Sequence, residues 1–74
     1  MLAENQLSPE DQALLAWLRI KYPKVVFRCY DEASEVFWVV GRRRRDPQPL
    51  HRDFIEEARN GFLLPMAELR YKLG

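Results

Sequence analysis

The stretch KVVFRCYDEASEVFWVVGRR, residues 24–43, decides the fold of this chain. Two segments within it, 24–30 and 36–43, are dense in β-branched and aromatic residues, which favour strands. The polar link between them, residues 31–35, has the length of a hairpin loop. The pattern therefore predicts two antiparallel strands joined as a β-hairpin.

Successive side chains of a strand alternate between its two faces. On that basis the first strand is expected to place Phe27 and Cys29 on one face, with Arg28 and Tyr30 on the other. The second strand has apolar residues on both of its faces. Because an isolated hairpin is only marginally stable, such a strand needs cover on both sides.

A helix is predicted before the hairpin, over residues 9–21. Ser8 suits the N-cap, where its side chain can accept a backbone N–H, and Pro9 suits the first helical position. Leucine and tryptophan residues follow at helical spacing. Residues 1–8 lack such a period, so we expect a loose N-terminal tail there and a single domain over residues 9–74.

The chain after the hairpin predicts a rigid loop and two further helices. The loop covers residues 46–49, which include two prolines. A second helix is predicted from Leu50 to Asn60, because Asn60-Gly61 is a typical helix C-cap, and Pro65 is expected to open a short third helix. The predicted fold class is therefore α+β, in the order α-β-β-α-α, with helices packed on one face of the hairpin.

A hairpin covered on one face keeps two open edges and one open face. One prediction for covering them is a homodimer, in which two hairpins pair edge to edge into a four-stranded sheet around a two-fold axis. The other is that the uncovered face docks on another protein, where tryptophan, tyrosine and arginine commonly anchor an interface.

Composition limits the classes of function. The 12 Lys and Arg against 11 Asp and Glu give a net charge of +1, a smaller excess than is usual for proteins that hold nucleic acid by bulk electrostatics. The single cysteine excludes an intramolecular disulfide and a zinc site built on several thiolates. No apolar run approaches the about 20 residues of a membrane span, and the N-terminus lacks the signal-peptide pattern. We expect a cytoplasmic protein without a membrane partner.

The sequence shows no set of residues typical of catalysis. His51 is the only histidine, so it has no second ligand for a metal and no paired nucleophile. A metal-dependent nuclease core would need a Glu-x-Lys on the second strand, but Phe37 stands two residues after Glu35 and no acidic residue lies inside that strand. Cys29 is expected to be a small buried hydrophobe. The prediction is a protein that is not an enzyme and that uses no cofactor and no metal.

The four consecutive arginines at 42–45 are the strongest local feature. The planar guanidinium matches the geometry of phosphate and of carboxylate groups. Alternate arginines of a strand would point to opposite faces, unless Gly41 ends the strand first. The run suits contact with an acidic protein surface or with a phosphate backbone. A third interpretation is that the run is a solvated strand end, whose charge keeps an exposed strand edge from pairing with other chains.

The last two predicted helices, around Gly61, have the outline of a DNA-reading helix-turn-helix. Glu57, however, occupies a place where such units usually carry a small residue, and only Arg70, Tyr71 and Lys72 are available to read bases. We expect instead a helical hairpin that packs on the sheet.

The predicted function is that of a small non-catalytic protein-binding module, a regulator or inhibitor of a larger protein. It would dock through the aromatic face of the hairpin, with Phe37 exposed, and through the basic segment 42–45. The alternative is a nucleic-acid-binding domain with arginines on phosphates and aromatic residues stacked on bases. The candidate macromolecule-binding residues are Arg28, Tyr30, Phe37, Trp38, Arg42, Arg43, Arg44 and Arg45.

Overall fold

The computed structural model describes the whole chain, Met1–Gly74. In chain order its elements are α1 (Pro9–Lys21), β1 (Val26–Asp31), β2 (Val36–Val40), β3 (Gln48–His51), α2 (Arg52–Arg59) and α3 (Leu63–Leu73), preceded by a short 3-10 turn at Glu4–Gln6. The strands form one antiparallel sheet in the order β1-β2-β3. The predicted α+β class is confirmed, with one strand more than the sequence pattern indicated.

Two helix ends follow from short-range chemistry, as predicted. The Ser8 side chain accepts a hydrogen bond from the Asp11 N–H at 3.2 Å, which caps α1. After α2, Gly61 has a φ of 93°, and the Phe62 N–H donates to the Glu57 carbonyl at 3.1 Å. This is the hydrogen bond of a Schellman motif, whose left-handed position favours glycine.

The third strand corrects the prediction of a rigid loop at 46–49. β3 pairs with β2 through Trp38 opposite Pro49 and Phe37 opposite Leu50. A proline lacks the N–H that an interior strand needs, but an edge strand has one side unpaired, and β3 lies at the edge of the sheet. The second helix consequently starts at Arg52 rather than at Leu50.

A β-bulge corrects the predicted faces of the first strand. Phe27 lies opposite Val39 and Cys29 lies opposite Trp38, so Arg28 is the extra residue that shifts the register. After this shift Tyr30 lies opposite Phe37. Strict alternation predicted that Cys29 shares a face of the sheet with Phe27. Because of the bulge, Tyr30 shares that face with Phe27 instead.

The core lies between the helices and one face of the sheet, which we call the inner face. Its buried side chains come from every element and from the segments before α1 and β1: Leu7, Leu14, Leu15, Leu18, Val25, Tyr30, Phe37, Val39, Leu50, Ile55, Ala58, Leu69 and Leu73. The opposite, outer face of the sheet carries side chains that are half-buried or exposed: Val26, Cys29, Val36, Trp38, Val40 and Pro49. The helices thus cover only the inner face.

The N-terminal segment is not the loose tail that was expected at residues 1–8. Leu2 and Tyr30 exchange two backbone hydrogen bonds, at 2.8 and 3.0 Å, so Leu2 occupies part of the free edge of β1. Leu7 is buried in the core. The homodimer by edge pairing stays a prediction. The sheet has two edges at which a second copy could pair: the edge of β1, part of which Leu2 occupies, and the edge of β3, which carries Pro49.

Candidate binding surface

The arginine run follows directly on the close approach of β2 to the end of α3. A Cβ atom on Gly41 would lie 2.5 Å from the Lys72 carbonyl oxygen and 2.8 Å from the Leu73 Cα. Only glycine permits this approach. The Arg42 N–H then donates to the Leu73 carbonyl at 3.3 Å. The loop that carries the arginines is therefore attached to α3 by backbone contacts.

This attachment brings two of the arginines together with cations of α3. Arg43 and Arg44 line an open depression of about 620 Å³ with Arg70, Tyr71 and Lys72, and with Ala67 and Gly74 at its border. We call this depression the basic bay. The Arg44 guanidinium carbon lies 4.9 Å from the centre of the Tyr71 ring, within the range of a cation–π interaction. The basic bay thus combines four cations with one aromatic ring.

The cations of the basic bay have no carboxylate partners. The ion pairs of the protein involve Arg19, His51 and Arg52, and none of the four bay cations takes part in one. No Asp or Glu side chain lines the depression. The Lys72 ammonium donates to the Pro49 carbonyl at 3.3 Å, which positions it without neutralising it. The lining of the basic bay thus includes four cationic residues and no acidic one.

Two of the predicted site residues are buried, and the prediction that Phe37 is an exposed hairpin aromatic is wrong. Phe37 is 0% exposed and Tyr30 is 5% exposed. Their ring centres lie 4.7 Å apart on the inner face of the sheet. Both faces of β2 are apolar, so the sequence pattern did not indicate which face the helices cover. Neither side chain is accessible to a partner of the folded protein.

Trp38 and Arg28 lie outside the core, Trp38 in the central strand β2 and Arg28 in the edge strand β1. Trp38 is half-buried on the outer face, between Cys29 of β1 and Pro49 of β3, and its indole N–H is covered without a hydrogen-bond partner. Cys29 was predicted to be buried and is half-buried. Arg28 is exposed at the bulge. Neither Trp38 nor Arg28 lines the basic bay.

The arginine run divides into two pairs. Arg43 and Arg44 line the basic bay, whereas Arg42 and Arg45 are exposed outside its lining. The predicted strand over 36–43 in fact ends at Val40, because Gly41 turns the chain toward α3. This end of the strand allows Arg43 and Arg44 to line one depression instead of pointing to opposite faces.

The other half of the basic bay, Arg70, Tyr71 and Lys72, was not predicted as a site. These residues were considered only as a base-reading surface in a helix-turn-helix. The available sequence feature was two cations flanking an aromatic residue in the last turn of a helix. Nothing in the sequence pattern linked that turn to the arginine run.

The chemistry of the basic bay is that of anion binding. Guanidinium groups donate paired hydrogen bonds to carboxylate and phosphate oxygens, and an ammonium adds a point charge. His51, by contrast, uses its Nδ1 to accept the Asp53 N–H at 3.0 Å and so caps α2. None of the helices combines the length and apolar character that crossing a membrane requires.

No protein-family model, curated protein or solved structure matches this chain.

Proposed function

We propose that this chain is a non-catalytic protein-binding module whose basic bay takes carboxylates of an acidic segment in a partner protein. The observation that carries the proposal is the set of four unpaired cations, Arg43, Arg44, Arg70 and Lys72, around one depression. Opposite charges across an interface give specificity and speed association. Regulation or inhibition of the partner is the predicted consequence of such docking.

The attachment of the arginine loop to α3 supports this proposal. Binding costs less when the binding groups are already positioned, since fewer side chains and backbone torsions are ordered on association. The Arg42–Leu73 hydrogen bond and the contact at Gly41 position the backbone, and Tyr71 positions the Arg44 guanidinium. The modest net charge of +1 also agrees better with a local carboxylate site than with a general polyanion surface.

A second candidate function, single-stranded nucleic-acid binding, is favoured by one observation. Tyr71 lies within the basic bay and is 73% exposed. An exposed aromatic ring among cations can stack on a base while the cations contact phosphates. Both candidates use the basic bay, so a direct comparison of ligands separates them.

The experiment is a fluorescence anisotropy titration of three labelled probes: a peptide of six consecutive glutamates, a twelve-residue oligothymidine and a twelve-residue oligouridine. Each probe is titrated at 50 and 150 mM salt with the wild type, with the double variant Arg43→Gln/Arg44→Gln, and with the control Lys24→Gln/Arg59→Gln. The control removes the same charge at two exposed positions outside the bay.

Saturable binding of the glutamate peptide, weakened in the bay variant alone, would support the protein-binding proposal. Preferential binding of an oligonucleotide, with steep salt dependence and the same loss in the bay variant, would place nucleic acid first. Equal weakening by the control variant would show that overall charge, and not the basic bay, governs binding.

A further inference from the structure

A second depression lies directly beside the basic bay, and it is mainly apolar. It has a volume of about 550 Å³ and is lined by Lys21 and Tyr22 at the end of α1 and by Leu63, Met66, Ala67 and Arg70 of α3, with Gly74 at its border. We call it the apolar groove. Leu63 is 80% exposed, while Tyr22 and Met66 pack against the core and form the floor. The groove therefore offers accessible apolar surface on a rigid support.

The charged groups of the apolar groove are both cations. Lys21 and Arg70 lie at its margin, and no Asp or Glu side chain lines it. Burial raises the pKa of the Tyr22 hydroxyl, and the nearby positive charge of Arg70 opposes that rise. Arg70 therefore lies within electrostatic reach of Tyr22. A ligand in the groove would meet apolar atoms surrounded by positive charge.

The apolar groove and the basic bay are continuous. Ala67 and Arg70 line both depressions. Along α3, Leu63 in the groove and Tyr71 in the bay are eight residues apart, or about 12 Å at 1.5 Å per helical residue. One exposed side of α3 thus presents a continuous track, apolar near its start and cationic near its end.

Each kind of ligand uses a different part of this track. A nucleic acid would place phosphates in the basic bay but has no use for the apolar groove beyond it. A purely apolar partner would have no use for the arginines, whose desolvation would oppose binding. A peptide that carries both acidic and apolar side chains complements the whole track, as amphipathic helices do in grooves of other proteins.

We propose that the partner contributes an acidic amphipathic segment that lies along α3, with apolar side chains in the apolar groove and carboxylates in the basic bay. This inference rests on the proposed function and adds the chemical class of the ligand. The carboxylates and the apolar side chains of the segment lie about 12 Å apart, which is about eight residues of helix. Recognition needs both depressions at once.

The test is selection of peptides from a random sixteen-residue phage library on the immobilised full chain. The selected peptides are then synthesised, and their dissociation constants are measured by anisotropy with three single-site proteins. Ala67→Glu places a carboxylate at the junction of the two depressions. Leu63→Ser removes the exposed apolar side chain of the groove. Ala13→Glu is the matched control, since Ala13 is likewise an exposed helical alanine but lies on α1.

The expected result is enrichment of peptides that combine Asp or Glu with Leu, Ile or Phe. Ala67→Glu should weaken their binding at least tenfold, Leu63→Ser should weaken it threefold or more, and Ala13→Glu should leave it unchanged. Thermal melting of all three variants near the wild-type temperature shows that the losses reflect binding and not unfolding.

Three outcomes would overturn the inference. Selected peptides that are acidic without an apolar requirement, and that ignore Leu63→Ser, would leave the protein-binding function standing and remove the groove from it. Failure to enrich any acidic peptide would contradict both the proposed protein-binding function and the role of the apolar groove. Concentration-dependent dimerisation abolished by Ala67→Glu would show that a second copy of this chain occupies the track.

Discussion

Arg52 and the Arg43–Arg44 pair are the same kind of side chain in opposite surroundings. The Arg52 side chain is 18% exposed, and its Nε donates to the Asp11 carboxylate at 2.9 Å. Carboxylates of Glu10, Glu35 and Asp53 lie within 4.0 Å of its guanidinium. The hydrogen bond to Asp11 raises the pKa of Arg52. Arg43 and Arg44 have no carboxylate partner at all.

The difference shows how placement decides whether an arginine is paired inside the molecule or left without a carboxylate partner. Arg52 joins the start of α1, the hairpin loop and the start of α2, and its backbone N–H also donates to the Glu35 carbonyl at 2.9 Å. Its charge is used inside the molecule. The charges of Arg43 and Arg44 have no carboxylate partner inside the molecule, and the proposed function assigns them to an outside partner. Variants that remove one of these arginines, or that change a residue beside it, test this difference.

The largest effect is expected from Arg52→Ala, which should lower the free energy of unfolding by about 3 kcal/mol. The Asp11 side chain is 10% exposed and would lose its charged partner, and removing one member of a largely desolvated, hydrogen-bonded ion pair leaves the other charge uncompensated. Urea denaturation followed by circular dichroism measures the change. Arg43→Ala, the matched control, should stay within about 0.5 kcal/mol of the wild type, as exposed substitutions usually do. Similar losses in the two variants would contradict the comparison.

Gly41→Ala should break the attachment of the arginine loop to α3. The added methyl group would overlap the Lys72 carbonyl and the Leu73 Cα, and overpacking of this kind costs about 1–3 kcal/mol. Both the free energy of unfolding and the affinity for the glutamate peptide should fall. Denaturation and anisotropy titration on one protein preparation measure the two effects.

Gly61→Ala is the control for that experiment. Gly61 has a positive φ but has open space around it, so the substitution should cost about 1 kcal/mol of stability through backbone strain. Because Gly61 is not part of the basic bay, peptide affinity should be retained. An equal loss of affinity in both glycine variants would show that the basic bay does not depend on the contact at Gly41.

The double variant Arg43→Gln/Arg44→Gln should lower the affinity for the glutamate peptide about tenfold, or about 1.4 kcal/mol of binding free energy. Its melting temperature should stay close to that of the wild type, because neither arginine has a carboxylate partner and the Arg44 contact with the largely exposed Tyr71 ring is worth little. Anisotropy and thermal melting check the two statements. A marked loss of stability would assign these arginines to the fold and remove them from the binding surface.

The smallest expected effect is a pH dependence of stability, and it comes from carboxylates that accept hydrogen bonds within the protein. Hydrogen bonds from Arg19 lower the pKa of Glu4, and the hydrogen bond from the Ser34 hydroxyl lowers the pKa of Asp31. A lowered pKa in the folded state means that the ionised group stabilises the fold above the unfolded-state pKa. That contribution is lost as the pH falls through the folded-state pKa. Stability should therefore decline in acid.

Ser34→Ala sharpens this expectation. Without the hydroxyl donor, the Asp31 pKa should rise toward its ordinary value, and the acid-dependent loss of stability should become smaller. Carbon-13 NMR titration of the side-chain carboxyl follows the pKa directly. Arg44→Gln should leave it unchanged. An unchanged Asp31 pKa in Ser34→Ala would show that the hydroxyl does not control this carboxylate.

Short-range features of the sequence predicted the parts of the fold that depend on neighbouring residues. Ser8 caps α1 and Gly61 closes α2 as expected, because each motif is completed within five residues along the chain. The hairpin was predicted because two strand-prone segments are neighbours in the chain and a short polar link joins them. The third strand was not, because the prolines at 47 and 49 disfavour a strand by local propensity, and only pairing with β2 overrides that preference.

The faces of the sheet show a second limit of prediction from the sequence. Alternation along β1 assumes a continuous ladder, and the bulge at Arg28 interrupts it. Phe37 was predicted to be exposed because both faces of β2 are apolar, and the packing of the helices decides which face becomes the core. Two of the candidate residues named from the strands, Tyr30 and Phe37, consequently lie in the core.

The sequence by itself determined the α+β class, the Ser8 cap of α1, the glycine end of α2 and the hairpin, and it singled out Arg43 and Arg44 as candidate residues. Those features follow from propensity, periodicity and charge within a few positions of the chain. Only the tertiary structure decided the outer and inner faces of the sheet, the third strand and the union of the arginine loop with Arg70, Tyr71 and Lys72. The physical reason is that each of these features depends on contacts between distant parts of the chain: helix packing for the faces, pairing with β2 for the third strand, and for the basic bay the close approach of Gly41 to α3 about thirty residues further on.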